Sequence, residues 1–204
     1  MGQNTRLKTI VVHGHAYFVT TRVHEGLPIF YCPNLCQIII NGLNFYRQAK
    51  QSNLLGYVIM PTHLHYIFWP YGKYSIIEIL RDFKKQTAKD IIKELKKIKQ
   101  GGWINNPIQM DKGGITNPTS PEWAQGMLNL FFHNSIKQEY KVWQSNNWVT
   151  NIYSESFLIT KLNYIRQNPV KAGFVRQETD YVFSSARNYY FNDNSLIKID
   201  HHEI

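Results

Sequence analysis

A chain of 204 residues with 43% hydrophobic content can bury one sizeable core, which excludes an intrinsically disordered polypeptide. A formal charge of +9 and a pI near 9.5 point to a polyanionic partner, nucleic acid ahead of an anionic membrane. No apolar run approaches membrane-spanning length and Met1-Gly2-Gln3-Asn4-Thr5 opens no signal sequence, so the chain reads as soluble and cytoplasmic, with no membrane partner.

His15-Ala16-Tyr17-Phe18-Val19-Thr20-Thr21-Arg22-Val23 is β-branched and aromatic and predicts the first strand. Cys32 and Cys36 follow, too few for a zinc site, and read as reduced, partly buried thiols near a helix start. Pro33-Asn34 opens a helix over about Leu35 to Ser52, with Leu35, Ile38, Ile39, Leu43 and Tyr46 at helical spacing. Leu54 to Met60 is a second strand. The Pro61-Thr62 turn leads into a third, His63-Leu64-His65-Tyr66-Ile67-Phe68-Trp69, and the two strands make an antiparallel hairpin.

A second helix covers roughly Ser75 to Lys99. Its apolar stripe includes Ile76, Ile79, Leu80, Phe83, Ile91 and Leu95, and its other face carries Arg81, Lys84, Lys85, Lys89, Lys93, Lys96, Lys97 and Lys99. Gly101 to Gly126, rich in glycine and proline, reads as a loop insertion. Leu128 to Trp143 is apolar again, Ser154-Glu155-Ser156 starts a helix that runs to about Asn168, and Pro169 and Gly173 end it. The order β-α-β-β-α, then a further element and a helix, predicts an α+β fold. It is the ferredoxin-like, split-βαβ plan: an antiparallel sheet with two helices on one face and the last helix across the open face. Residues 1–175 form the expected domain and 176–204 a C-terminal tail.

His63 and His65 stand at i and i+2 of a strand and project from one face, close enough to share a divalent metal. The spacing also suits two structural or exposed histidines, and His13-Gly14-His15 repeats it at the poorly defined start of the first strand. A metal needs further ligands. Tyr164 and Asn168 are one turn apart on the last helix, so Asn168 can complete a His/His/amide site with Tyr164 beside it. A phenol with a pKa near 10 is a poor nucleophile unless a nearby cation stabilises its anion; simple packing is the other reading of this tyrosine.

Gly56-Tyr57-Val58-Ile59-Met60-Pro61-Thr62-His63-Leu64-His65 resembles the HUH motif of the single-tyrosine, IS200-like transposases. Tyr164-Ile165-Arg166-Gln167-Asn168-Pro169-Val170-Lys171-Ala172-Gly173-Phe174-Val175 is similar to the tyrosine segment of their REP-associated branch. Phe83-Lys84-Lys85-Gln86-Thr87 and Val142-Trp143-Gln144 fall in family order between them, and Tyr181-Val182-Phe183-Ser184-Ser185-Ala186 looks like the branch's closing motif. The resemblance spans about His15 to Tyr189, the insertion excepted. It departs at Phe18, where the family often has histidine, and at Asn146-Asn147-Trp148, where an aromatic followed by an acidic residue and histidine is usual.

The resemblance implies His63, His65 and Asn168 as ligands of Mg²⁺ or Mn²⁺ and Tyr164 as the nucleophile. The implied activity is transposition, by cleavage of single-stranded DNA near a hairpin through a 5′-phosphotyrosine. The implied partner is a REP-like or transposon-end hairpin on the nucleoid. Related transposases work as dimers with shared sites, so the resemblance admits a homodimer as well as a monomer. Arg22, Lys84, Lys85, Arg166 and Lys171 are candidate phosphate contacts. Trp148, Tyr66 and Trp69 are candidate stacking platforms, in keeping with 14% aromatic content and thirteen tyrosines. Two other readings compete: a non-catalytic ferredoxin-like nucleic-acid-binding module, and a rolling-circle initiator or relaxase of the wider HUH class.

Overall fold

The computed structural model describes residues 12, 14–101, 118–135 and 138–200. Strand β1 (Ala16–Arg22) is followed by helix α1 (Pro33–Ala49), and the hairpin β2 (Ser52–Met60) and β3 (His63–Pro70) by helix α2 (Ile76–Lys99). Helix α3 (Pro121–Phe131), the small hairpin β4 (Phe132–Ser135) and β5 (Gln138–Tyr140), strand β6 (Trp148–Ile152), helix α4 (Glu155–Lys171) and the short α5 (Ala186–Phe191) complete the order.

The main sheet has four strands in the order β2-β3-β1-β6, every pair antiparallel. β3 lies between β1 and β2, the strands that α1 connects, so the expected split βαβ is present. Alternation sends Tyr17, Val19 and Thr21 of β1 to one face with their partners Phe68, Tyr66 and Leu64 of β3. The Tyr66 ring meets Phe83 of α2 at 5.8 Å between centroids, which makes this the helix-covered face. α1 adds Leu35, Cys36, Ile39, Ile40 and Leu43 to that core, and Pro33 at its first turn supplies the fixed φ that favours helix entry. α2 starts with a capping box: the Ser75 side chain accepts from the Glu78 N–H while Glu78 accepts from the Ser75 N–H at 2.9 Å.

Several expectations change. α1 stops at Ala49, because Gln51 adopts φ +48 and turns the chain into β2 at Ser52. Cys32 and Cys36 are free but fully buried, and desolvation pushes the Cys36 thiol well up. The end of the expected insertion is helical: Pro121 and Gly126 lie in α3, which buries Trp123, Ala124, Leu128 and Phe131 and packs on α2. Proline at the first turn starts a helix instead of breaking it, and Ser120 caps it by accepting from the Trp123 N–H at 3.1 Å. Residues 102–117 of that insertion, and His13, lie outside the described residues.

α4 also runs past its expected end. Pro169 sits inside it, and the helix closes with Gly173 at φ +73. The Phe174 N–H donates to the Pro169 carbonyl at 2.9 Å and the Gly173 N–H to the Val170 carbonyl at 2.9 Å. That is a Schellman cap, so the Asn168-to-Phe174 stretch is a helix terminator built around its glycine.

The segment expected as a C-terminal tail is stitched to the outer edge of β2. The Ile59 N–H donates to the Phe183 carbonyl, the Ser185 N–H to the Tyr57 carbonyl, and the Tyr57 N–H to Ser185 Oγ, at 2.9, 2.9 and 3.0 Å. The Tyr181 hydroxyl donates to the Ile59 carbonyl at 2.8 Å, and Asp200 accepts from the Leu54 N–H at 2.9 Å while pairing with Arg47. Ile197 and Ile199 are buried in the same core. An edge strand otherwise leaves a row of unpaired backbone groups; here the C-terminal segment takes them up.

Candidate active site

The second face of the sheet carries the opposite set of side chains. Phe18, Thr20 and Arg22 of β1 face Ile67, His65 and His63 of β3, and Gly56, Val58 and Met60 of β2 extend the same rows. α4 lies across this face and has two adjacent stripes. Leu158, Leu162, Ile165 and Pro169 are its buried residues, at i, i+4, i+7 and i+11. One residue earlier, Phe157, Lys161, Tyr164 and Asn168 repeat that spacing.

Gly56 sets how closely the two layers approach. A Cβ there would fall 2.8 Å from Leu162 Cδ2, 3.3 Å from Ser185 Oγ and 3.7 Å from Ile165 Cδ1. The missing side chain lets the apolar stripe settle on β2, and the polar stripe beside it is thereby carried to Phe18 and His65.

His65 is only 4% exposed. Its ring stacks on Phe18 with centroids 5.3 Å apart and planes 19° apart, and its Nδ1 lies 2.8 Å from Thr20 Oγ1. Its Nε2 is buried with no hydrogen-bond partner. His63 is half-buried, 4.8 Å from His65 between ring centroids, with Nδ1 2.9 Å from Thr62 Oγ1. Burial lowers both pKa values, that of His65 to about 3, with the charges of His63, Arg22 and Lys161 adding to its shift. Both rings are therefore neutral at physiological pH, each with Nδ1 engaged and Nε2 left over. That is the state in which imidazole binds a metal. Among the described residues no third His, Cys, Asp or Glu joins them, so the remaining donors must be of another kind.

Tyr164 meets His65 edge to face at 5.1 Å and Phe18 at 5.8 Å, and is 40% exposed. Its ring is fixed on the sheet while solvent still reaches it. Asn168 follows one turn on, half-buried, its side chain without a hydrogen-bond partner among the described residues. The two histidines and Tyr164 are thus brought together, with Asn168 on the stripe that continues from Tyr164.

The basic candidates divide. Arg22 is exposed opposite His63 on the site face. Lys84 lies across the sheet on the helix side, where its Nζ donates to the Gln144 carbonyl at 2.6 Å and Asn147 Oδ1 at 3.2 Å; burial lowers its pKa to about 8. Lys85 is exposed on α2, also away from the histidines. Arg166 stacks over Tyr189 at 5.0 Å and Tyr190 at 5.6 Å, and Lys171 is exposed in the last turn of α4.

Of the stacking candidates, Trp148 pairs with Thr20 and so projects from the site face, 71% exposed. Tyr66 is excluded as a platform. It alternates with His65, lies fully buried on the helix side, and its hydroxyl is 3.1 Å from Thr21 Oγ1. Trp69 donates through Nε1 to the Gly14 carbonyl at 2.9 Å. His15 packs on Tyr153 at 5.4 Å, apart from the His63/His65 pair.

Three residues of the site lie outside the sequence reading's candidate set. Thr20 orients His65, Phe18 forms the floor beneath the histidine and the tyrosine, and Lys161 sits above that floor. The i−3 spacing of Lys161 from Tyr164 on one helix was the available signal.

No family model and no curated protein sequence matches the chain. Its fold is similar to a solved structure of a REP-associated tyrosine transposase bound to a REP hairpin. The TM-score is 0.60 and the identity 17%, with 95% of this chain and 90% of that chain covered. At this identity the likeness establishes a shared α+β fold. Among the described residues no helix is long and apolar enough to cross a membrane.

Proposed function

We propose that this chain is a metal-dependent single-stranded DNA endonuclease and strand transferase of the HUH tyrosine type, acting near a DNA hairpin in the cytoplasm, on the nucleoid. The observation that carries the reading is the contact of Tyr164 with His65, a buried, neutral imidazole whose Nε2 has no partner. A nucleophile type and a metal-ligand type have no packing reason to share one small patch with an orphaned ring nitrogen. The REP hairpin in the structurally similar transposase supports a hairpin as the partner, and the +9 charge agrees with it.

His63 and His65 would hold Mg²⁺ or Mn²⁺ through Nε2, with the Asn168 amide oxygen as a third donor. Thr20 and Thr62 keep the Nδ1 positions engaged. When bound, such an ion withdraws charge from the phosphate oxygens and stabilises the attacking and leaving oxyanions. The Tyr164 hydroxyl loses its proton to solvent and attacks the scissile phosphorus. A Tyr164 Oη–P bond forms, the P–O3′ bond breaks, and the 3′-oxygen takes up a proton. One phosphodiester has replaced another, so a 3′-hydroxyl attacking the phosphotyrosine restores a DNA strand with no nucleotide cofactor. Phe18 holds the phenol ring in place through both states, and Trp148, on the same face, is the platform for an unpaired base.

The test incubates the protein and Mn²⁺ with a labelled single strand that carries a hairpin. A downstream fragment linked to the protein through its 5′-phosphate and an upstream fragment with a free 3′-hydroxyl are expected, both abolished by EDTA and by the His65→Ala substitution. DNA that binds with the same affinity with or without Mn²⁺ and remains intact would favour a binding module instead.

A further inference from the structure

Lys161 stands on the site face beside Tyr164 and has no part in the proposed chemistry. It shares the α4 stripe with Tyr164, and its Nζ lies 4.7 Å from the Phe18 ring centroid, 5.1 Å from Phe157 and 5.8 Å from Tyr164. Among the described residues no carboxylate pairs with it. Its charge and that of Arg22 on β1 both act on the His65 imidazole of β3 and help to keep it neutral. This ammonium, held among three aromatic rings beside the histidine pair, therefore has no ion-pair partner among the described residues. Contacts with the rings attract the ammonium through the ring quadrupole but neutralise no charge. An anion that enters between Lys161 and the two histidines would supply that partner.

We propose that Lys161 binds a non-bridging oxygen of the scissile phosphate and steers that phosphate toward Tyr164. The inference rests on the strand-transferase reading and adds to it the residue that recognises the reacting phosphate. The aromatic contacts define how it does so. The Lys161 Nζ lies over the rings of Phe18, Phe157 and Tyr164, which restricts the directions open to the ammonium. Phosphate entry therefore recruits a cation already fixed in direction, instead of ordering a flexible surface lysine. On this account Lys161 differs from Lys85 or Lys171, whose exposed side chains would act only through the general attraction of the DNA backbone.

The experiment compares wild type, Lys161→Met and Lys161→Arg on two hairpin-bearing strands. One strand has an ordinary phosphodiester at the mapped cleavage position, the other a single neutral methylphosphonate. Dissociation constants are measured in the Tyr164→Phe background, and adduct formation with Tyr164 present; urea unfolding reports the fold of each variant. The expectation is that Lys161→Met weakens binding of the phosphodiester strand about 10-fold and slows adduct formation about 10–100-fold. It should leave binding of the methylphosphonate strand unchanged, and Lys161→Arg should restore most of both losses. Adduct formation by Lys161→Met at the wild-type rate, or an equal binding loss on both strands, would overturn the role of Lys161 and leave the strand-transferase reading intact. Absence of any adduct from the wild type would overturn both.

Discussion

The Tyr164 ring packs edge to face against the His65 imidazole, 5.1 Å between centroids and 75° between planes, although one stands on α4 and the other on β3. Nothing in the hairpin or in the helix alone produces this contact. It depends on how deeply α4 sits on the sheet, and Gly56 controls that depth.

Gly56→Ala should therefore damage both the fold and the site. The added methyl would lie 2.8 Å from Leu162 Cδ2, in the buried stripe of α4, so a layer must shift. Overpacking of this kind costs about 1–3 kcal/mol. Urea unfolding should show that loss, and adduct formation should fall by more than the unfolded fraction explains, because Tyr164 moves with the helix.

The histidine pair gives the metal-free protein an acid sensitivity of known sign. His65 has a folded-state pKa of about 3 against an ordinary 6.5. The unfolded chain therefore binds a proton that the folded chain does not. Above pH 6.5 its contribution to stability is fully present; as pH falls from there toward 3 it is lost, by about 1.4 kcal/mol per pH unit. His63, lowered in the same direction, adds to the slope. Denaturant midpoints taken from pH 7 to pH 5 should decline in the wild type and flatten in His65→Gln.

Lys84 and Lys85 are neighbours in sequence with different work to do. Lys84 already donates to the Gln144 carbonyl and to Asn147, holding the segment that leads into β6. Lys84→Met should cost about 1 kcal/mol of stability and leave the salt dependence of DNA binding unchanged. If α2 touches the strand, Lys85→Ala should instead lower the slope of log K against log salt by about 0.7 with no loss of stability. Fluorescence anisotropy across a salt series, beside urea unfolding, separates the two.

The edge of β2 makes a prediction about the C-terminal segment. Ser185 satisfies the Tyr57 N–H through Oγ and the Tyr57 carbonyl through its own N–H. Ser185→Ala removes only the first and should cost about 1–3 kcal/mol for the buried donor left unpaired. Ending the chain at residue 180 removes the whole edge and should make the protein aggregate, as measured by light scattering.

Much of this was legible in the sequence. The alternation of the histidine strand and the Pro61-Thr62 turn define the hairpin, and the 3.6-residue pattern of α2 is unambiguous. Pro169 misled because a proline usually ends a helix, whereas the cap lies at Gly173, set by a backbone conformation that no periodicity reports. The segment 181–200 meets β2 through separate hydrogen bonds from serine, tyrosine and aspartate, and such bonds leave no period to read. Strand parity, already readable in the sequence, turns Tyr66 away from His65. Lys161 shows in the sequence only as a spacing from Tyr164, and Thr20 does not show at all, since its role follows from the β1–β3 register that the packed structure supplies.

The residue to which the DNA attaches decides whether Tyr164 is the nucleophile. Cleavage of a hairpin-bearing single strand with Mn²⁺, followed by proteolysis and mass spectrometry of the protein–DNA adduct, reads this directly. The predicted result is a 5′-phosphate linked to the Tyr164 hydroxyl, with no adduct in Tyr164→Phe and DNA binding retained. Attachment at another residue, or an undiminished adduct in Tyr164→Phe, would contradict the site described.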